Sequence, residues 1–217
     1  MKTETVRIYV SDIRDFMGLD GIGLVTDARR KRIDRFIKTE DKARCLAAGL
    51  LLRLICGVTD ESHLTYGNHG RPRLKNGNGY FNISHSGNYA ILATADDEVG
   101  VDIEVIAPYD EAVINRCFTP EECEWMRREE NDEAFFRLWT AKESIMKATG
   151  LGFSLPPESF SVLPIDASEH RIVGKSWFLD WMIYDGHVIC RAVEGVSIET
   201  EMITVSSSGL IDGKKHF

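Results

Sequence analysis

Long apolar runs are missing from this sequence. No stretch reaches the ~20 residues that a bilayer-crossing helix needs, and Met1-Lys2-Thr3-Glu4-Thr5-Val6-Arg7 lacks the apolar core of a signal peptide. A cytoplasmic protein with no membrane partner is the expectation. Cysteine is sparse: Cys45, Cys56, Cys117, Cys123 and Cys190 make an odd count with no CxxC pair, which argues for reduced thiols and against a disulfide framework. Basic side chains are outnumbered, 26 against 34, leaving a net charge of −8. A field of that sign repels nucleic acid, so no nucleic-acid partner is expected without a local basic patch. Repeats and low-complexity linkers are absent too. What remains is ordinary for a folded protein: 217 residues, 43% hydrophobic and 28% charged, enough for one or two domains.

The pattern along the chain alternates between strand and helix. Val6 to Val10 reads as a strand, and Thr26 to about Arg53 as helical, with Ile33, Phe36, Ile37, Leu46 and Leu50 at a 3.6-residue period. Basic residues fill the other positions of that segment, including Arg29, Arg32 and Arg44; a solvated helical face is the simplest account of such a charge run. Glycines and asparagines from Gly67 to Gly79, Asn78 among them, predict turns before strands at Tyr80–Ser84 and Tyr89–Ala95. A strand follows from Val99 to Ile106. Thr119-Pro120-Glu121-Glu122 is a helix start, with Thr119 as cap and Glu122 three residues later. A further helix is expected from Asp132 to a stop at Gly150. Strands are then expected near Phe160, Trp177–Ile183, Val188–Val193 and Ile198–Val205. The fold class is α+β, in two halves, residues 1–98 and 99–217.

Chemistry concentrates in three places. In Gly100-Val101-Asp102-Ile103-Glu104-Val105, strand alternation puts Asp102 and Glu104 on one face and the apolar residues on the other. Two neighbouring carboxylates repel, and a hard cation such as Mg²⁺ relieves that repulsion with oxygen ligands; an edge strand whose acidic face meets water is the competing account. In Trp139-Thr140-Ala141-Lys142-Glu143-Ser144-Ile145-Met146-Lys147, at about 100° per residue, Lys142, Glu143 and Lys147 lie within about 80° of Trp139 on the helical wheel. Glu143 would then join Asp102 and Glu104 as a third metal ligand, with Lys142 and Lys147 beside an anion, a set suited to phosphoryl chemistry. The third place is Ser84-His85-Ser86-Gly87, expected as a polar turn whose hydroxyls, ring and amides can donate to phosphate. No Gly-x-Ser-x-Gly elbow accompanies it, so a serine hydrolase is not indicated.

In this order, Phe81-Asn82-Ile83-Ser84-His85-Ser86, Gly100-Val101-Asp102-Ile103-Glu104, Phe118-Thr119-Pro120-Glu121-Glu122 and Trp139-Thr140-Ala141-Lys142-Glu143-Ser144 with Lys147 resemble the Sfp-type 4′-phosphopantetheinyl transferases. Arg35-Phe36, Glu40-Asp41, Gly70-Arg71-Pro72 and Gly152-Phe153-Ser154 extend the likeness, which spans roughly residues 26 to 163. The resemblance implies a pseudo-dimer of two similar α/β halves with an active-site cleft between them. It implies coenzyme A as co-substrate, Mg²⁺ as cofactor, and an acyl or peptidyl carrier protein as the acceptor, modified on a serine with release of 3′,5′-ADP. Carried over by position, Asp102, Glu104 and Glu143 hold the metal, and Glu143 doubles as the base. Lys147 and His85 contact phosphates, and Lys142 stabilises the leaving diphosphate. Ser84 lies near the adenosine, and Arg29, Arg32, Arg44 and Arg71 surround the 3′-phosphate end. A monomer is expected, with Asn115 to Met126, including Phe118 and Trp125, as part of the carrier-docking surface. Two alternatives stay open: a Mg²⁺-dependent phosphodiesterase or nuclease, and a non-catalytic carrier- or nucleotide-binding module.

Overall fold

The computed structural model describes residues 3–77, 79–167 and 169–213, so Asn78 and the tail from residue 214 lie outside the described residues. In chain order the strands are β1 (Thr3–Asp12), β2 (Leu64–Tyr66), β3 (Pro72–Leu74), β4 (Tyr80–Ser86), β5 (Tyr89–Ala95), β6 (Val99–Val105), β7 (His170–Ile172), β8 (Lys175–Tyr184), β9 (His187–Glu194) and β10 (Ser197–Thr204). The α-helices are α1 (Asp27–Arg35), α2 (Thr39–Cys56), α3 (Glu111–Cys117), α4 (Pro120–Glu129), α5 (Asp132–Thr149) and α6 (Ser207–Asp212). None of the described helices is long and apolar enough to cross a membrane. None of the five cysteines, all among the described residues, forms a disulfide.

The chain divides into two compact units. Among the described residues, one takes 6–96 with 200–213; the other takes 3–5 with 97–199. The first is built on a four-stranded sheet in the order β10-β1-β5-β4, with β5 antiparallel to both β1 and β4. Its core joins Leu46, Leu50 and Leu51 of α2 to Ile13, Phe16, Phe81 and Leu92, all nearly or fully buried. The second is built on the antiparallel sheet β6-β9-β8-β7. There Leu138, Ala141 and Ile145 of α5 pack with Val188, Cys190 and Trp177.

Local chemistry fixes the helices around the second core. Thr119 accepts from Glu122 N at 3.3 Å while Glu122 Oε2 accepts from Thr119 N at 2.9 Å, a complete capping box with Pro120 in the first turn. Asn131 Oδ1 accepts from Ala134 N at 2.9 Å to start α5. Gly150 ends α5 at φ 70°, a left-handed conformation that costs glycine little.

Three sequence expectations need correction. The helical segment expected from Thr26 to about Arg53 is not continuous but two helices, because the backbone turns extended at Phe36 (φ −75°, ψ 141°) and α2 begins afresh at Thr39. Phe36 packs against the first core while Ile37 points out and is 97% exposed. The strand foreseen near Phe160 is a 3₁₀ turn, Pro157–Ser159, followed by irregular chain. Finally, the C-terminal segment does not stay with the second half: β10 joins the sheet of β1, and Val205 and Leu210 enter the first core.

Candidate active site

Strand β6 places Asp102 opposite Cys190 of β9, with the Asp102 residue only 2% exposed and Glu104, on the same face by alternation, half-buried. Helix α5 lies directly over this strand, and Gly100 is what lets it. A Cβ built on Gly100 would sit 1.8 Å from Ser144 O and 2.7 Å from Ala148 N, where real Cβ contacts essentially never fall below 3.0 Å. The Ser144 hydroxyl adds a hydrogen bond to Cys190 O at 2.9 Å.

That approach brings Lys147 onto the strand. Its Nζ donates to Asp102 Oδ1 at 2.6 Å and to Val101 O at 3.3 Å. Glu143, one turn earlier, shares the same field. Burial pushes its carboxyl above the usual range; Lys147 opposes that shift and the Asp102 charge adds to it. Asp102, Glu143 and Lys147 therefore form one electrostatic group.

Lys142 does not belong to it. The expectation that Lys142 faces a diphosphate is overturned, because the residue is 0% exposed and its ammonium is spent inside the second unit. Lys142 Nζ meets Glu122 Oε2 at 2.7 Å, Pro157 O at 2.7 Å and Phe160 O at 2.5 Å, which uses all three of its donors. It also lies 4.5 Å from the Phe160 ring centroid. Burial pulls its pKa down, with the Glu122 carboxylate opposing. Glu122 in turn accepts from Thr119 N and, at 2.9 Å, from Val162 N. In the sequence, Thr119-Pro120-Glu121-Glu122 marks Glu122 only as part of a helix cap. Phe118 is core rather than docking surface, 3% exposed and edge-on to Phe135 and Trp139.

The expected three-carboxylate metal centre is likewise not drawn together: among the described residues no group of three or more His, Cys, Asp or Glu is close enough to hold a metal ion. Lys147 on Asp102 supplies the positive charge that the acidic pair needs in this structure. Mg²⁺ is usually held by one or two carboxylates plus substrate phosphates rather than by an all-protein cage. The oxygen-only donors Asp102 and Glu143 fit that mode.

The remaining predicted residues lie in the first unit. Thr26 caps α1, accepting from Arg29 N at 3.2 Å and donating to Glu61 Oε2 at 2.9 Å. Arg29 and Arg32 line a cavity of about 190 Å³ together with Glu61, Tyr66, Gly70 and Pro72. Tyr66 donates to Glu61, and burial with that carboxylate pushes its phenol up to about 12, so it stays neutral. Arg71 is 9% exposed and lines a second cavity of about 130 Å³ with Tyr80 and Phe81, not the one that holds Arg29 and Arg32. Arg44 braces the β4–β5 turn, donating to Gly87 O at 2.6 Å and to Asp41 Oδ1 at 2.6 Å. Ser84 is buried and His85 exposed, and both sit within β4, opposite Ile91 and Ala90, rather than in a turn. His85 lies close enough to Asp41 to lower that carboxyl, after the larger effect of Arg44.

Comparison with known families matches residues 98–193 to the 4′-phosphopantetheinyl transferase superfamily and residues 20–97 to the 4′-phosphopantetheinyl transferase N-terminal family. The 4′-phosphopantetheinyl transferase HetI of Nostoc sp. is 33% identical over 180 residues, 76% of each chain. The 4′-phosphopantetheinyl transferase Sfp of Bacillus subtilis is 32% identical over 150 residues, 65% of this chain and 67% of that one. The Synechocystis protein slr0495 is 32% identical over 145 residues, 60% of this chain and 59% of that one. The chain thus spans about three-fifths to three-quarters of the length of these relatives.

Proposed function

Because the chain belongs to the Sfp-type 4′-phosphopantetheinyl transferases, we propose that it moves the 4′-phosphopantetheine arm of coenzyme A onto a serine of an acyl or peptidyl carrier protein. The serine oxygen attacks the β-phosphorus, the bond from that phosphorus to the α/β bridging oxygen breaks, and 3′,5′-ADP leaves. The observation that carries this reading is the Asp102–Lys147 contact at 2.6 Å with Glu143 in the same field.

Each residue has a part. Glu143, whose carboxyl is pushed up by burial, is poised to take the serine proton. Lys147, held by Asp102 and Val101 O, presents its ammonium to the phosphates. Asp102 and Glu143 would hold Mg²⁺, and the ion when bound would neutralise charge on the pyrophosphate oxygens. The phosphate contact falls to Lys147 alone of the two lysines. Arg29 and Arg32 would meet the 3′-phosphate in their cavity, with Tyr66 as a neutral wall. Arg44 sets the β4–β5 turn, and so the end of the strand bearing Ser84 and His85, before contacting any ligand. The pseudo-dimeric architecture, a monomeric state and a cytoplasmic location belong to the same proposal. So little covalent work falls to the protein that positioning and electrostatics carry the rate.

Incubation with an apo-carrier protein, coenzyme A and Mg²⁺ tests it. The carrier should gain the mass of one phosphopantetheine arm, and Asp102→Ala or Glu143→Ala should abolish the gain while the far-UV circular dichroism spectrum stays unchanged. An unmodified carrier across a panel of apo-acyl and apo-peptidyl carriers, or normal turnover in either variant, refutes it.

A further inference from the structure

We propose that Gly100 is a positioning residue for the transfer reaction, setting the spacing between β6 and α5 that puts Lys147 and Glu143 beside Asp102. The inference rests on the proposed transferase reading for its effect on turnover, and on geometry alone for its effect on the Asp102–Lys147 contact.

The geometry leaves no slack. The missing Cβ would lie inside the van der Waals shells of Ser144 O, Ser144 C and Ala148 N, at 1.8, 2.9 and 2.7 Å. All three are backbone atoms of α5, so no side-chain rotation can relieve the overlap. Ser144 and Ala148 directly follow Glu143 and Lys147 in the helix, so the contact point and the reactive side chains are adjacent on one rigid element. Any methyl at position 100 must drive strand and helix apart by more than about 1 Å to restore ordinary contact distances. The 2.6 Å ion pair between the two elements then re-forms only if the Lys147 side chain leaves the conformation that now makes it. A misplacement of about 1 Å costs on the order of 100-fold in rate where positioning carries catalysis.

Gly100→Ala tests this against Gly174→Ala, whose glycine sits in the β7–β8 turn at φ 72° with nothing within 4 Å of a Cβ. The control loses stability through backbone strain and touches nothing near Asp102. Two readouts are compared: turnover per folded molecule, and the nitrogen-15 NMR signal of the Lys147 ammonium, slowed in exchange by its Asp102 partner. Gly100→Ala should lower kcat about 100-fold and lose the ammonium signal, while Gly174→Ala melts earlier yet keeps both. Wild-type kcat and signal in folded Gly100→Ala, or equal losses in the control, overturns the proposal. A wild-type protein that modifies no carrier refutes the transferase reading instead, and the ammonium comparison still judges Gly100. If Gly100→Ala is unfolded, both readouts are repeated with a stabilising osmolyte; failure to fold even then makes the close approach a folding requirement only and also overturns the positioning claim.

Discussion

Replacing Lys142 by methionine, which is unbranched and one atom shorter, strips the charge from a pair whose two side chains are 0% exposed. Glu122 would then remain buried as a carboxylate with only the Thr119 and Val162 amides to satisfy it. Pro157 O and Phe160 O would lose their donor as well. Breaking one side of a buried ion pair costs about 3–5 kcal/mol, which for a chain of this size lowers Tm on the order of 10 °C. The double variant Glu122→Gln with Lys142→Met removes both charges and leaves an amide oxygen for one of the two backbone donors, Thr119 N on Oε2 or Val162 N on Oε1. It should recover part of that loss. Thermal melts followed by circular dichroism, with transferase turnover per folded molecule, separate the two roles of Lys142. On a structural role, the folded fraction of the double variant turns over at close to the wild-type rate. A Lys142→Met protein as stable as wild type, or single and double variants that are folded and equally inactive, would refute the reasoning and return Lys142 to the chemistry.

Two further outcomes follow from the site. Glu143 has its folded pKa above the unfolded value, so its ionised form is disfavoured in the folded state and stability falls as pH rises through that window. Glu143→Gln should therefore be more stable than wild type at neutral pH, with the gain vanishing below about pH 4; a gain that persists in acid contradicts the assignment to burial and the Asp102 charge. If Arg29 and Arg32 grip the 3′-phosphate, Arg29→Met with Arg32→Met should raise the KM for coenzyme A and erase its preference over dephospho-coenzyme A, with kcat little changed. A preference that survives the double substitution places the 3′-phosphate elsewhere.

Strand β6 and helices α4 and α5 were legible because each carries local marks: alternation in Gly100–Val105, the Thr119–Glu122 box, and Gly150 as a stop. The break between α1 and α2 was not, since neither proline nor glycine punctuates Arg35-Phe36-Ile37-Lys38. The helical wheel grouped Lys142 with Lys147, but five residues at about 100° each leave them about 140° apart. Periodicity gives that angle and not the side on which the sheet lies. The sheet takes Lys147 to Asp102, and the facing 3₁₀ turn takes Lys142 into the core. Gly100 was legible only as a letter in a motif, because its meaning depends on a helix more than forty positions away. The return of β10 to β1 is a pairing of distant segments, and strand patterns carry no record of their partners.

The central claim is that Asp102 and Glu143 hold a divalent ion against the pyrophosphate of coenzyme A. An anomalous difference map from crystals grown with Mn²⁺ and coenzyme A tests it directly. A peak bonded to both carboxylates and to a pyrophosphate oxygen is the predicted result, and a peak elsewhere, or coenzyme A bound with its pyrophosphate away from Lys147, would contradict it.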